Sequence, residues 1–167
     1  MDKLRLTLRE TALFGMLGAL TFGAKVVMAG LPNIEPVSLF VMVFGAVFGL
    51  KALYPVYVYV AMEILLYGIG IWNLMYLYIW AILAILACAL RKTKSSIDWA
   101  ILGGAFGLCF GALCAPVDFL LGDISFVVAK WVSGILFDVT HCIGNFVIVL
   151  LLFHPLRDLL EKLYKRI

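Results

Sequence analysis

Charge is what this chain has least of. Asp, Glu, Lys and Arg together make up 14% of its 167 residues, whereas apolar types make up 65%. A water-soluble domain of this length cannot bury so much apolar surface, so lipid must solvate much of it. Phosphate-gripping loops are missing as well. There is no GxxxxGK[ST], which excludes ATP hydrolysis through a P-loop, and no HExxH, GxSxG or acidic cluster suited to magnesium beside a phosphate. Cys88, Cys109, Cys114 and Cys142 form no CxxC and have no His at metal-ligand spacing, so they read as small apolar packing residues. His141 and His154 lie at different depths, which excludes paired haem ligation, and no cofactor or metal is expected. No linker or low-complexity tract divides the chain, so residues 1–167 read as one membrane domain.

What is present is a series of apolar runs. Six spans are expected, at about Ala12–Ala29, Val37–Gly49, Ala52–Gly70, Asn73–Leu90, Trp99–Leu121 and Phe126–Phe153. The second is short, and the expectation is that it tilts or enters the membrane only partly. A cleaved signal peptide is not expected, because Lys25 interrupts the first run and later spans hold the chain in the membrane. Lys3, Arg5 and Arg9 precede span one, Lys51 marks the turn after span two, Arg91, Lys92 and Lys94 follow span four, and Arg157, Lys162, Lys165 and Arg166 follow span six. The opposite loops hold no Lys or Arg. The positive-inside rule therefore puts both termini in the cytoplasm of a cell whose membrane the protein crosses. The expected fold is all-α, a six-transmembrane-helix bundle. The net charge of +3 reflects topology rather than nucleic-acid binding. The tail HPLRDLLEKLYKRI is expected to form an amphipathic helix on the inner surface.

The run FDVTHCIGNF places Asp138, His141 and Asn145 in the last span. Offsets of three and seven residues fall within about 60° on a helix, so the three share a face. Ionisable groups inside a span cost a few kcal/mol each on insertion scales, which calls for a partner or a purpose. Counting from the cytoplasmic ends at about 1.5 Å per residue, Glu63 and His141 sit about 18 Å up, and Lys25, Tyr76 and Asp138 about 22 Å. Tyr59, Glu63 and Tyr67 repeat at intervals of four, as do Trp72, Tyr76 and Trp80. Lys130, Trp131, Gly134, Asp138, His141 and Asn145 fall within an arc of about 100°. Such stripes suit a planar polar organic molecule, with rings on its faces and polar groups at its edges. The expected substrate-binding residues are Lys25, Glu63, Tyr67, Tyr76, Trp80, Lys130, Asp138, His141 and Asn145. The competing possibility is that the lysines snorkel, or that the carboxylates only pair with them to hold helices together.

Two faces carry small residues at spacing four: Gly15, Ala19 and Gly23 on span one, and Gly103, Gly107, Gly111 and Ala115 on span five. Both permit close helix approach. Internal packing accounts for the second; the first is free to meet another membrane protein.

This pattern resembles the substrate-binding S components of energy-coupling factor (ECF) vitamin importers. Size, topology and charge placement match along nearly the whole chain. The local carriers are LTLRETALFGMLGAL and LPNIEPVSLFVMVFGAVFG, the latter similar to the first outer loop and second helix of several subfamilies, cobalamin-type ones included. The resemblance implies capture of a vitamin or related micronutrient from outside, with partners comprising a transmembrane coupling subunit and two ATPase subunits. It also implies docking through an Ala-x-x-x-Ala pair on helix one, where this chain has Gly15-x-x-x-Ala19 followed by Gly23. A heteroaromatic, zwitterionic or cationic ligand fits the polar layer, whereas the loop points to a larger, cobalamin-like one. The alternatives are a rod-shape-determining type of membrane scaffold, with no pocket, and a membrane enzyme using His141 with Asp138 as base and orienting carboxylate. No nucleophile accompanies that pair, and no inverted repeat of a secondary transporter is visible.

Overall fold

A computed structural model describes residues 5–30 and 34–167. Lys3 and the Leu31, Pro32 and Asn33 portion of the resemblance-bearing loop lie outside the described residues. Within them every regular element is helical: α1 Leu8–Val27, α2 Val37–Phe48, α3 Leu53–Tyr67, α4 Ile71–Ala89, α5 Ser96–Leu108, α6 Phe110–Asp118, α7 Ile124–Ser133 and α8 Ile135–Tyr164. Among the described residues five stretches are long and apolar enough to cross a bilayer: Leu8–Val27, Val37–Tyr67, Ile71–Ala89, Ser96–Asp118 and Ile135–Tyr164. The chain has the make-up of a helical membrane protein.

α1 begins with a capping box. The Thr7 hydroxyl accepts from the Glu10 amide at 3.1 Å, and Glu10 accepts from the Thr7 amide at 2.9 Å. The stretch Val37–Tyr67 is continuous in hydropathy but not in direction. α2 stops where Gly49 takes φ +62°, a left-handed backbone that a side chain disfavours, and a 3-10 turn over Gly49–Ala52 leads into α3. Phe14 of α1 meets Phe48 at the end of α2, with centroids 4.8 Å apart, and Tyr54 at the start of α3, at 6.2 Å. Further along α1, Lys25 reaches Glu63 near the end of α3. So α3 runs with α1, and α2 runs against both. α2 is short, 12 residues, as the sequence suggests. It is the central helix, packed against α4, α8 and α1, with Val37, Met42 and Val43 fully enclosed. A helix surrounded by protein does not have to match the thickness of lipid.

The expected run Trp99–Leu121 corresponds to the single stretch Ser96–Asp118, with a local irregularity at Cys109 between α5 and α6. The expected run Phe126–Phe153 is corrected: it is interrupted at Gly134, between α7 and α8. Gly134 is a poor helix former, and its backbone (φ −87°, ψ −4°) departs from regular α geometry. The tail does not form a separate surface helix either. α8 continues through Pro155 to Tyr164, whose ring packs edge-on against Phe48 at 4.8 Å. Arg157 secures this segment by donating to the Arg91 and Thr93 carbonyls at 3.1 and 3.3 Å.

Glycines set close helix contacts. A Cβ on Gly107 of α5 would lie 2.7 Å from the His141 carbonyl carbon, and one on Gly103 would lie 3.0 Å from Val149 Cγ2. α5 and α8 thus pack nearly backbone to backbone, as the spacing of these glycines predicts. On α1 the interlocking residue is Gly18, where a Cβ would come within 2.6 Å of Val58. No small-residue pattern had singled it out.

Candidate functional site

The two ends of the bundle differ in charge. At one end Glu10 Oε1 accepts from Lys51 Nζ at 2.6 Å and from the Tyr164 hydroxyl at 2.5 Å, tying α1, the α2–α3 turn and α8 together. Arg91 and Arg157 gather at the same end. The polar layer lies at the other end.

It is built from α1, α3 and α4. Lys25 Nζ donates to Glu63 Oε1 at 2.9 Å; the carboxylate is only 2% exposed and the lysine 23%. The same ammonium lies 5.3 Å from the Tyr76 ring centroid and 5.9 Å from that of Tyr59, both within cation–π range. Spacing four puts Tyr59 and Glu63 on one face of α3 and Tyr76 and Trp80 on one face of α4, so the helices meet through their rings. Tyr76 and Trp80 cross edge-to-face at 5.5 Å, and Trp80 extends the cluster to Phe106 and Phe110 at 5.8 and 5.9 Å.

Above this floor lies a cavity of about 300 Å³. Lys25, Tyr76 and His141 line it, as the layer predicts, and Tyr67 stands half-exposed among the lining residues. Glu63 adjoins it as the counter-ion of Lys25. Trp80 is fully buried and supports Tyr76 from behind rather than facing the space. His141 is 2% exposed, yet neither ring nitrogen has a hydrogen-bond partner among the described residues. Its Nε2 stands 3.7 Å from Glu35 Oε1, beyond hydrogen-bond reach.

The other expected site residues go elsewhere. Asp138 accepts the Gly111 amide, and Lys130 of α7 pairs with Asp118 of α6. Both line a neighbouring cavity of about 440 Å³ together with Trp131 and Cys114. Phe110 and Phe137 line both spaces and stand between them. The break at Gly134 removes Lys130 from the α8 stripe, since the arc holds only along an unbroken helix. Asn145 lies deeper, where its Nδ2 donates to Ser38 Oγ at 3.1 Å and to the Gly103 carbonyl at 3.3 Å, bolting α8 to α2 and α5.

Six lining residues are not among the expected site residues: Met28, Ala29, Ile34, Glu35, Phe110 and Phe137. The depth ruler ran only along spans, so Glu35, two residues before α2, had no place on it. Its presence in LPNIEPVS, so close to a helix start, was the available signal. Burial pushes its carboxyl up to about 7, with Lys25 opposing the shift and Glu63 adding to it.

Comparison with protein-family models, curated proteins and solved structures finds no match. The site therefore has to be read from its own chemistry. Among the described residues no group of three His, Cys, Asp or Glu side chains is placed to hold a metal, and the four cysteines are unpaired. The small face of α1 looks outward: Ala19 and Gly23 are exposed, and a Cβ on Gly15 or Gly23 would meet nothing within 4 Å.

Proposed function

We propose that this chain is the substrate-binding membrane subunit of an ECF-type importer, taking a vitamin or related micronutrient from outside the cell. In this reading α2 and α3 each cross the membrane as the two arms of a hairpin, which makes six spans and leaves both termini in the cytoplasm. The basic end then faces the cytoplasm, and the cavity opens toward the outside. The observation that carries the reading is that cavity. It lies at the end away from the basic residues, is walled by Tyr67, Tyr76 and Phe110, and contains a buried His141 whose ring nitrogens have no partner among the described residues. Buried polar groups nearly always find partners, and a bound molecule would supply these.

The chain binds and releases its ligand without covalent chemistry. Energy comes from outside it, through a transmembrane coupling subunit and two ATPases, since its sequence holds no nucleotide-binding motif. The open face of Gly15, Ala19 and Gly23 suits close approach by a helix of that coupling subunit. Mass spectrometry on protein purified under mild conditions tests the first half of the proposal, with a stoichiometric small molecule expected. Vesicle uptake tests the second half: transport of that molecule should require the coupling subunit and ATP hydrolysis. Full-rate uptake by the chain alone would overturn the mechanism.

A further inference from the structure

The charges around the cavity do not balance, and the imbalance narrows the ligand class. Lys25 is already matched, with its ammonium 2.9 Å from the buried Glu63 carboxylate. Glu35 is not. Among the described residues no ammonium or guanidinium lies within ion-pair distance of it, and its nearest basic group is the His141 imidazole at 3.7 Å. The cavity thus carries two carboxyl groups against one ammonium.

The surrounding surface favours the same sign. Tyr67, Tyr76, Phe110 and Phe137 contribute four rings, whose faces are electron-rich and attract cations. His141 offers two nitrogens without a partner among the described residues, which suit the polar edge of a flat molecule. A space of about 300 Å³ is at the small end for ligand sites, which leaves room for one or two rings.

We infer that the cavity takes a small, flat organic cation, a protonated or quaternary nitrogen compound of one or two rings, with Glu35 as its counter-ion. This rests on reading the cavity as the ligand site. The cation completes a second ion pair beside Lys25–Glu63, while the rings cover its faces. Because burial raises the Glu35 carboxyl toward neutrality, a cation entering below about pH 7 displaces the carboxyl proton to solvent, and binding tightens as pH rises. The titratable groups facing Glu35 are Lys25 from α1, Glu63 and Tyr59 from α3, Tyr76 from α4 and His141 from α8. Comparing the wild type with the Glu35 variant assigns the pH response to this carboxyl.

The test uses purified full-length protein in lipid nanodiscs and three probes of one shape: benzamidinium, benzamide and benzoate. Binding is followed by ligand-observed NMR. Benzamidinium should bind at least ten-fold more tightly than benzamide, with benzoate not binding. The preference should collapse in Glu35→Gln, and wild-type affinity should rise between pH 6 and 8 while that of Glu35→Gln stays level. Equal or tighter binding of benzamide or benzoate by the wild-type protein overturns the inference and needs no variant to fold. So does a Glu35→Gln protein that keeps the full preference. A co-purifying anion or neutral compound that the assembled importer transports would overturn the cation assignment alone, leaving the binding-subunit reading intact. Absence of any co-purifying or binding small molecule would overturn both.

Discussion

The Gly111 amide points at both carboxylate oxygens of Asp138, at 3.1 and 3.2 Å, across the break between α5 and α6. Gly111 lies in the first turn of α6, where amides have no carbonyl partner within their own helix. Asp138 of α8 therefore caps α6 from outside, much as an N-cap side chain does from within. Asp138→Ala should cost about 1 kcal/mol of stability, the usual effect of losing a cap, and Asp138→Asn less. Affinity for the ligand held beside His141 should change little. Thermal unfolding in micelles, paired with binding of the co-purified molecule, separates the effects; unchanged stability with lost binding would return Asp138 to the ligand.

His141 and Asn145 share a face of α8 but predict opposite phenotypes. His141 gives no hydrogen bond to the described residues, so His141→Ala should leave unfolding nearly unchanged and weaken ligand binding by about 1–3 kcal/mol. Asn145→Ala strands the Ser38 hydroxyl and the Gly103 carbonyl, and should cost about 1–3 kcal/mol of stability. Titrating both variants with the co-purified molecule, alongside thermal unfolding, checks the contrast. Reversed phenotypes would exchange their roles.

Two glycines one turn apart on α5 offer a test of packing. A Cβ at Gly107 would sit 2.7–2.8 Å from the backbone of His141 and Cys142, which cannot rotate away. At Gly104 the nearest atom is the Phe146 Cβ at 3.4 Å. Gly107→Ala should therefore destabilise by about 1–3 kcal/mol, as overpacking does, and Gly104→Ala by much less. Comparable unfolding temperatures for the two would mean that α5 and α8 separate easily.

On α1, substitution at Gly15 and Gly18 should have contrasting effects. Gly18→Leu drives a side chain into Val58 and the Pro55 carbonyl and should prevent folding. Gly15→Leu enters open space and should fold and bind ligand normally, yet fail to co-purify with the coupling subunit. Normal assembly of Gly15→Leu would move the docking surface off this face.

Much of the site can be read from spacing. Lys25, Glu63, Tyr76 and His141 were placed at one depth by counting residues, and the structure brings all four around one cavity. That worked because rise per residue is nearly constant along an uninterrupted helix. Lys130 departs from the expectation for the same reason: the arc that included it ran across Gly134, where the helix is interrupted. Glu35 belongs to no helix, so residue counting assigns it no depth.

The sequence by itself determined the lipid-compatible helices, the charge-poor interior and the common depth of the ionisable groups. These follow from hydropathy and helical rise, which are local and accumulate residue by residue. Only the tertiary structure decided what each polar group faces. Asp138 and His141 are three residues apart on one side of α8, yet one meets the open first turn of α6 and the other looks across a cavity to Glu35. A side chain's azimuth on its own helix is encoded nearby in the chain. The group opposite it depends on where neighbouring helices break, and that is fixed only when they pack.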